Sequence, residues 1–243
     1  MPKLSFVRGL FFVVISLLTL PTAQASEFEP ISISYSIGLD SSKFGNATLG
    51  KVNTTLSTTD NGYVIESVTR FQGMAAIITG NNHQESCEFE INDGKAITNR
   101  YSGGRIGKNE YAVDFDWQAR KVSFDTDQSI ELPQGYVVDN CVMWFATALL
   151  KGEGLGEQAM YVVDGKKKRI RGFTQRSSES VIIDTKLGKK ETIKLVLERE
   201  LRPDRTLTFW LSPEDQYLPL RIQESRKSRT TTFEVETLEL LGG

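Results

Sequence analysis

His83 is the single histidine of this 243-residue chain, so any Ser-His-Asp or Cys-His mechanism must run through it. Such mechanisms need an imidazole that takes the proton of the nucleophile. The G-x-S-x-G elbow that presents a catalytic serine does not occur in the sequence. His83 follows Gly80-Asn81-Asn82 at the start of a strand, where an imidazole ordinarily makes a surface or loop hydrogen bond. Cys87 and Cys141 lie on distant segments, and with one histidine they do not supply the usual ligand spacing of zinc. No catalytic, metal or cofactor residue is therefore assigned.

Carboxylates offer a second chemistry. Asp114 and Asp116 share one strand face, opposite Phe115 and Trp117, and with Glu85 they are the acids that an envelope glycan hydrolase could use. A solvent-facing pair gives the same pattern. Asp125-Thr126-Asp127-Gln128-Ser129 looks like the opening of a calcium loop, but Ile130 stands where such a loop needs Gly and no Glu occupies the twelfth position. Gly152-Glu153-Gly154-Leu155-Gly156 follows a helix, whereas a dinucleotide loop opens one, so it reads as a connection. Lys166, Lys167, Lys168, Arg169 and Arg171, and later Arg226, Lys227 and Arg229, form two basic clusters. They suit contact with anionic envelope material such as lipid headgroups; an edge strand or solvated face carries lysines equally well.

These residues must be positioned by strands. Ile31, Ile33, Tyr35, Ile37 and Leu39 alternate with small polar residues, and Tyr111-Val113-Phe115-Trp117, Ile193-Leu195-Leu197 and Leu207-Phe209-Leu211 repeat the period of two. Asp60-Asn61-Gly62 and Asn92-Asp93-Gly94 supply hairpin turns. Gly103-Gly104, Asp164-Gly165, Leu187-Gly188, Pro203-Asp204 and Pro213-Glu214 punctuate the remainder as in a meander. Phe233 and Val235 share one phase and Leu238 and Leu240 the other, which predicts a bulge at Glu236 to Thr237. Gly73 to Thr79 suits a turn or two of helix. Asp139 to Leu150 reads as the main helix, capped by Asp139 or Asn140 and stopped at Gly152. The expected fold is all-β dominated: a large curved antiparallel sheet, or an open or closed β-barrel, with one covering helix at about residues 140–150.

Cys87 shares a stripe with Phe89 and Ile91, and Cys141 shares one with Val142, Phe145, Ala148 and Leu149, so both face the interior. They can pair as a disulfide or stay as buried thiols.

Lys3 and Arg8 lead into an apolar run from Leu10 to Leu20 that ends at Ala23-Gln24-Ala25, the pattern of a secretory signal peptide over residues 1–25. The run is shorter than the ~20 residues that span a bilayer. No lipid-accepting cysteine follows the cleavage site. The expectation is one β-rich domain over residues 26–243, located in the periplasm with no lipid anchor and not an integral membrane protein. An outer-membrane barrel is disfavoured by the short hairpins, the missing aromatic girdles and the Gly242-Gly243 end. Removing the leader takes away two of 29 basic residues and none of 31 acidic ones, so the net charge moves from −2 to −4. That balance excludes nucleic acid as an expected partner.

Several short motifs, in order, resemble the bacterial exported family catalogued as domain of unknown function 3108. They are Tyr35 with Gly45-Asn46-Ala47, Gly73-Met74-Ala75-Ala76, Glu85-Ser86, Arg100-Tyr101, Phe115-Asp116-Trp117, the helix after Asp139, and Val163-Asp164-Gly165. The most specific are Trp210-Leu211-Ser212-Pro213 and Tyr217-Leu218-Pro219-Leu220-Arg221-Ile222. The resemblance implies a periplasmic, mostly antiparallel β protein and assigns no catalytic residue. Cys141 stands where the family pattern has Pro or a small residue, so a Cys87–Cys141 bridge would be particular to this chain. The architecture is also similar to lipoprotein-carrier folds, a half-open barrel with a helical lid, which is an analogy of shape alone. The expected function is non-enzymatic: binding a lipid, an envelope glycolipid or another lipophilic envelope-derived ligand, or supporting envelope assembly beside an envelope protein.

Overall fold

The computed structural model describes residues 28–42, 45–79, 82–125 and 128–242. The leader at 1–25 lies outside these residues, as do Gly80-Asn81 and Thr126-Asp127. The first eight strands are β1 (Ile31–Ser41), β2 (Gly45–Thr59), β3 (Gly62–Phe71), β4 (His83–Asn92), β5 (Lys95–Arg105), β6 (Tyr111–Asp116), β7 (Lys121–Phe124) and β8 (Ser129–Glu131). The other seven are β9 (Tyr136–Asp139), β10 (Met160–Asp164), β11 (Arg169–Thr185), β12 (Gly188–Arg199), β13 (Arg202–Ser212), β14 (Leu218–Arg226) and β15 (Arg229–Leu240). Helix α1 (Gly73–Thr79) joins β3 to β4, and α2 (Met143–Leu149) follows β9.

All these strands form one sheet in the order β8-β7-β6-β5-β4-β3-β2-β1-β15-β14-β13-β12-β11-β10-β9. The sheet is curved and does not close by a ladder. Its edges, β8 and β9, are nevertheless consecutive in the chain and joined by only Leu132 to Gly135. A link of that length spans at most about 17 Å. The sheet must therefore roll until its edges are neighbours. Instead of pairing with β8, β9 is buried along its whole length and packs against β5, where the Ala96 N–H donates to the Tyr136 hydroxyl at 3.0 Å. Arg120 holds the link by donating to the carbonyls of Leu132 (3.3 Å) and Pro133 (2.5 Å).

The two hairpins expected from turn chemistry are present: Thr59 pairs with Gly62, and Asn92 with Lys95. Asp93 and Gly94 have φ of 49° and 70°, the left-handed pair that a two-residue turn requires. The bulge also stands where the phase slip put it. Ser34 pairs with Thr237 and Tyr35 with Val235, leaving Glu236 as the extra residue. The Glu236 side chain takes ion pairs from Lys51 and Lys186. Five other ladders shift register, each adding local twist to the roll.

The structure corrects four expectations. Tyr136–Asp139 is a strand, parallel to β10, so the sheet is mixed and the main helix begins at Met143. The Asp139 carboxylate causes the switch: it accepts the N–H groups of Cys141 (2.6 Å) and Val142 (3.0 Å), turning the chain out of the strand. Cys141 thus precedes the helix. Pro203-Asp204 lies inside β13, and the turn is made by Glu200-Leu201, with Leu201 at φ 58°. Gly103-Gly104 lies inside β5 because neighbours occupy the space of a side chain: a Cβ on Gly103 would sit 2.3 Å from the Tyr111 hydroxyl, and one on Gly104 2.2 Å from the Lys108 carbonyl. The basic run at 166–171 belongs to the β10–β11 hairpin and not to an edge strand, with Lys166 and Lys167 on its solvated turn.

Alternation of the kind that begins at Ile31 gives each strand one face to bury. One extended core runs from Ile31, Leu56, Ile65 and Phe89 to Leu195, Leu197 and Phe209, with α2 sealing it through Phe145 and Ala148. A smaller cluster holds Ile33, Tyr35, Ile37, Trp210 and Val235. Replacing Gly103 by Ala is expected to cost about 1–3 kcal/mol in urea unfolding, since the methyl group overlaps Tyr111; an unchanged midpoint would show that β5 and β6 are loosely joined there.

Candidate functional site

Three polar groups meet around the buried end of the roll. The first is built on β4, β5 and β6. Their registers place Glu85 opposite Gly103 and Gly103 opposite Tyr111, so the missing side chain lets Tyr111 reach across β5. Tyr111 donates to Glu85 Oε1 at 3.0 Å, and Tyr101 donates a shorter hydrogen bond to the same oxygen. The two hydroxyl oxygens are 3.0 Å apart. Both hydroxyl protons are thereby committed to Glu85, and His83 Nε2, 3.2 Å from the Tyr111 oxygen, is the remaining donor.

Burial by itself would raise the Glu85 pKa, but the hydrogen bonds from His83, Tyr101 and Tyr111 and the nearby His83 charge outweigh it and the net shift is downward. Tyr101 and Tyr111 are both pushed up, first by burial and then by the Glu85 charge. The array therefore holds an ionised carboxylate between neutral phenols. It stabilises a fixed charge, and neither phenol gives up its proton near neutral pH.

The second group surrounds Asp139, which is fully buried. Its Oδ1 accepts the two N–H groups described above, while Oδ2 has no hydrogen-bond partner. The Thr98 hydroxyl favours the charged form from nearby without reaching it in hydrogen-bond geometry. Burial dominates, and the pKa rises from 3.8 to about 6. Cys87 and Cys141 face each other beside it with Cα atoms 6.4 Å apart and are disulfide-bonded in the structure. Ligand atoms of Cys87, Asp139 and Cys141 lie within 4.8 Å of one another. With the sulfurs joined, neither is a thiolate, and three groups fall short of a closed four-coordinate site.

The third group is cationic. Lys166 and Lys167 are exposed in the β10–β11 turn, and Lys168 pairs with Asp125 at 3.5 Å. Arg169 and Arg171 turn the other way, with their Nε atoms 3.6 and 4.0 Å from the buried Asp164 carboxylate. Arg171 also donates to Asn140. The β12–β13 hairpin adds Arg199, Arg202 and Arg205, which sequence patterning passed over; the signal was their spacing around the Glu200-Leu201 turn. The Arg171 and Arg199 pKa values are lowered by burial, and for Arg199 also by the charges of Arg205, Arg169, Arg171 and Arg202. A groove of about 460 Å³ opens here between β8 and β10–β13. Ile130, Pro133, Tyr161 and Ile170 give it apolar walls, and Arg171, Arg199 and Arg202 with Glu131 and Glu200 give it charge of both signs.

The remaining sequence candidates stay apart. Asp114 is exposed and pairs with Arg100 at 3.7 Å, and Asp116 accepts the Ala119 N–H at 2.8 Å in a surface turn. Neither meets Glu85. Arg226 stands opposite Arg205 on β14, so the second basic cluster adjoins the arginines of the groove. No helix among the described residues is long and apolar enough to cross a membrane.

A family model of proteins of unknown function, DUF3108, matches residues 33–234. No curated protein matches the chain. The fold is similar to that of a beta-barrel-like protein of domain of unknown function DUF1849 from Brucella abortus, with a TM-score of 0.59 and 13% identity over 89% of this chain and 99% of that one. A putative outer membrane lipoprotein-sorting protein domain from Vibrio parahaemolyticus gives a TM-score of 0.27 at 10% identity, covering 88% of this chain and 86% of that one. A DUF1329 family protein from Desulfovibrio piger gives 0.32 at 9% identity, covering 88% and 87%. The first likeness shows a shared fold, and the other two are too loose in shape to carry an argument.

The raised Asp139 pKa has a definite sign in the pH dependence of stability. Between about pH 4 and pH 6 the folded chain holds a proton that the unfolded chain has released, so the Asp139 contribution to stability falls as pH rises. Asp139→Asn keeps the Oδ1 acceptor and carries no charge. Its stability relative to the parent is expected to improve by up to about 3 kcal/mol between pH 4 and pH 7 in urea titrations. A difference that stays constant with pH would show that Asp139 is ionised throughout.

Proposed function

The chain belongs to the DUF3108 family of proteins of unknown function, and from its groove we propose that it is an exported, non-enzymatic protein of the bacterial envelope that binds an amphipathic anion derived from lipid. The observation that carries this reading is the composition of the groove between β8 and β10–β13. Its apolar wall of Ile130, Pro133, Tyr161 and Ile170 suits an acyl chain, and Arg171, Arg199 and Arg202, which outnumber Glu131 and Glu200 in the lining, suit an anionic headgroup. The mildly acidic net charge makes that local excess of arginine the more selective for a specific anion.

The leader-like residues 1–25 support export to the periplasm, with the working protein starting near Ser26 as a single β-rich domain. A Cys87–Cys141 bridge is in keeping with an oxidising compartment. It would close a loop of 54 residues, and replacing both cysteines by Ala is expected to lower stability by about 4 kcal/mol. Glu85 is held ionised by two phenols that keep their protons, an arrangement that supplies no general acid for hydrolysis and so favours a binding role.

Protein released from its own host by osmotic shock is expected to carry lipid in native mass spectrometry, at about one per chain. Ile170→Glu, which puts a charge on the apolar wall, is expected to arrive with at least tenfold less. A parent protein that is consistently empty, by mass and by lipid extraction, would overturn the reading.

A further inference from the structure

We propose that Arg169, Arg171, Arg199 and Arg205 form a seat for a phosphomonoester dianion beside the groove, on the Phe173 face of β11 to β13, a subsite that deepens the lipid-binding reading and rests on it for its natural source. The strands converge to make it. Phe173 on β11 pairs with Arg199 on β12, and Arg169 and Arg171 precede Phe173 on the same alternating stripe. Leu197 pairs with Leu207, and Arg205 precedes Leu207 on its stripe. Four guanidinium groups from three adjacent strands thus share one end of the roll, with Arg202 on the rim.

Their charges are matched only in part by protein. Asp164 serves both Arg169 and Arg171, with its oxygen 3.6 to 4.0 Å from their Nε atoms, and the Glu224 charge also acts on Arg171. Among the described residues, Arg199, Arg202 and Arg205 make no ion pair, and Glu198, next to Arg199, is turned to Arg176. The Nε–H groups of Arg169, Arg171 and Arg205 are buried and have no hydrogen-bond partner. Buried donors without acceptors, on like charges crowded together, are costly to keep. One ligand removes both costs if it brings two negative charges and several acceptor oxygens that forked donors can share. A phosphomonoester has that chemistry, whereas a phosphodiester brings one charge and fewer free oxygens.

Inorganic phosphate and a phosphatidic acid headgroup present this same dianion, and the experiment separates them. Thermal unfolding is followed in phosphate and in chloride at equal ionic strength, for the parent chain, for Arg199→Gln with Arg205→Gln, and for the surface control Lys166→Gln with Lys167→Gln. Phosphate at tenfold above its Kd is expected to raise the parent and control Tm by roughly 3 °C or more. The arginine variant is expected to lose that rise while starting from a higher Tm in chloride, since repulsion is relieved; a lower starting Tm together with an intact phosphate response would make these arginines structural and overturn the seat. Cosedimentation then uses phosphatidylcholine vesicles alone, or with a tenth of phosphatidic acid or of phosphatidylglycerol. Preference for phosphatidic acid, lost in the arginine variant, is expected. If phosphate stabilises the chain but no vesicle does better than phosphatidylcholine, the seat stands and the lipid reading falls. If phosphate does no more than chloride, or if phosphatidylglycerol binds as well as phosphatidic acid, the dianion seat is wrong.

Discussion

A link of four residues between the two edges of a 15-stranded sheet is the constraint on which the rest of this structure depends. A twisted sheet of that width would otherwise splay its ends far apart. Tying β8 to β9 forces the roll, and burying β9 against β5 takes the place of a closing ladder. An exposed edge is a hazard for association, and each is handled differently. One is covered by the roll itself, and the other is three residues long and ends directly before Leu132-Pro133.

Rolling an edge inward brings polar groups with it, and their environments set their states. Glu85 and Asp139 are both carboxylates in low-dielectric surroundings, yet they are driven in opposite directions. Glu85 receives two phenol hydroxyls and is held charged; Asp139 receives two backbone N–H groups on one oxygen, none on the other, and its proton is held more tightly. The difference is in donors, and donors are placed by register: a side chain on Gly103 would have kept Tyr111 from Glu85. On the far side of the inward edge, the arginines have the opposite problem, a surplus of donors.

Much of the fold is legible in the sequence because antiparallel strands with one wet face announce themselves by alternation. Even the bulge at Glu236 could be read, since a slip of one residue reverses the phase of Leu238 and Leu240. Legibility stops where both faces are buried. Tyr136-Val137-Val138-Asp139 is a strand with no polar phase, running into the apolar stripe of α2, so strand and helix merge into one periodic segment. Pairs of turn residues mislead in the same way: Gly103-Gly104 is needed for close approach inside a strand, and Pro203-Asp204 is carried by a strand just after its turn. The cationic cluster was half visible. Arg169 and Arg171 stand in a basic run, whereas Arg199, Arg202 and Arg205 are interleaved with acids and become neighbours of that run only through the register of β11, β12 and β13.

The seam between β1 and β15 lies at the middle of the sheet, with seven strands following β1 on one side and β15 completing seven on the other. The hydrogen bond between the Ser34 and Thr237 hydroxyls crosses 203 residues of chain. Neighbouring strands elsewhere are mostly hairpin partners that can form early, but this joint waits for the last strand to be made. Until then each half-sheet presents an uncovered apolar face, and closing so long a loop makes the step slow. The chain thereby stays unfinished, its two half-sheets unjoined, for as long as its final strand is withheld.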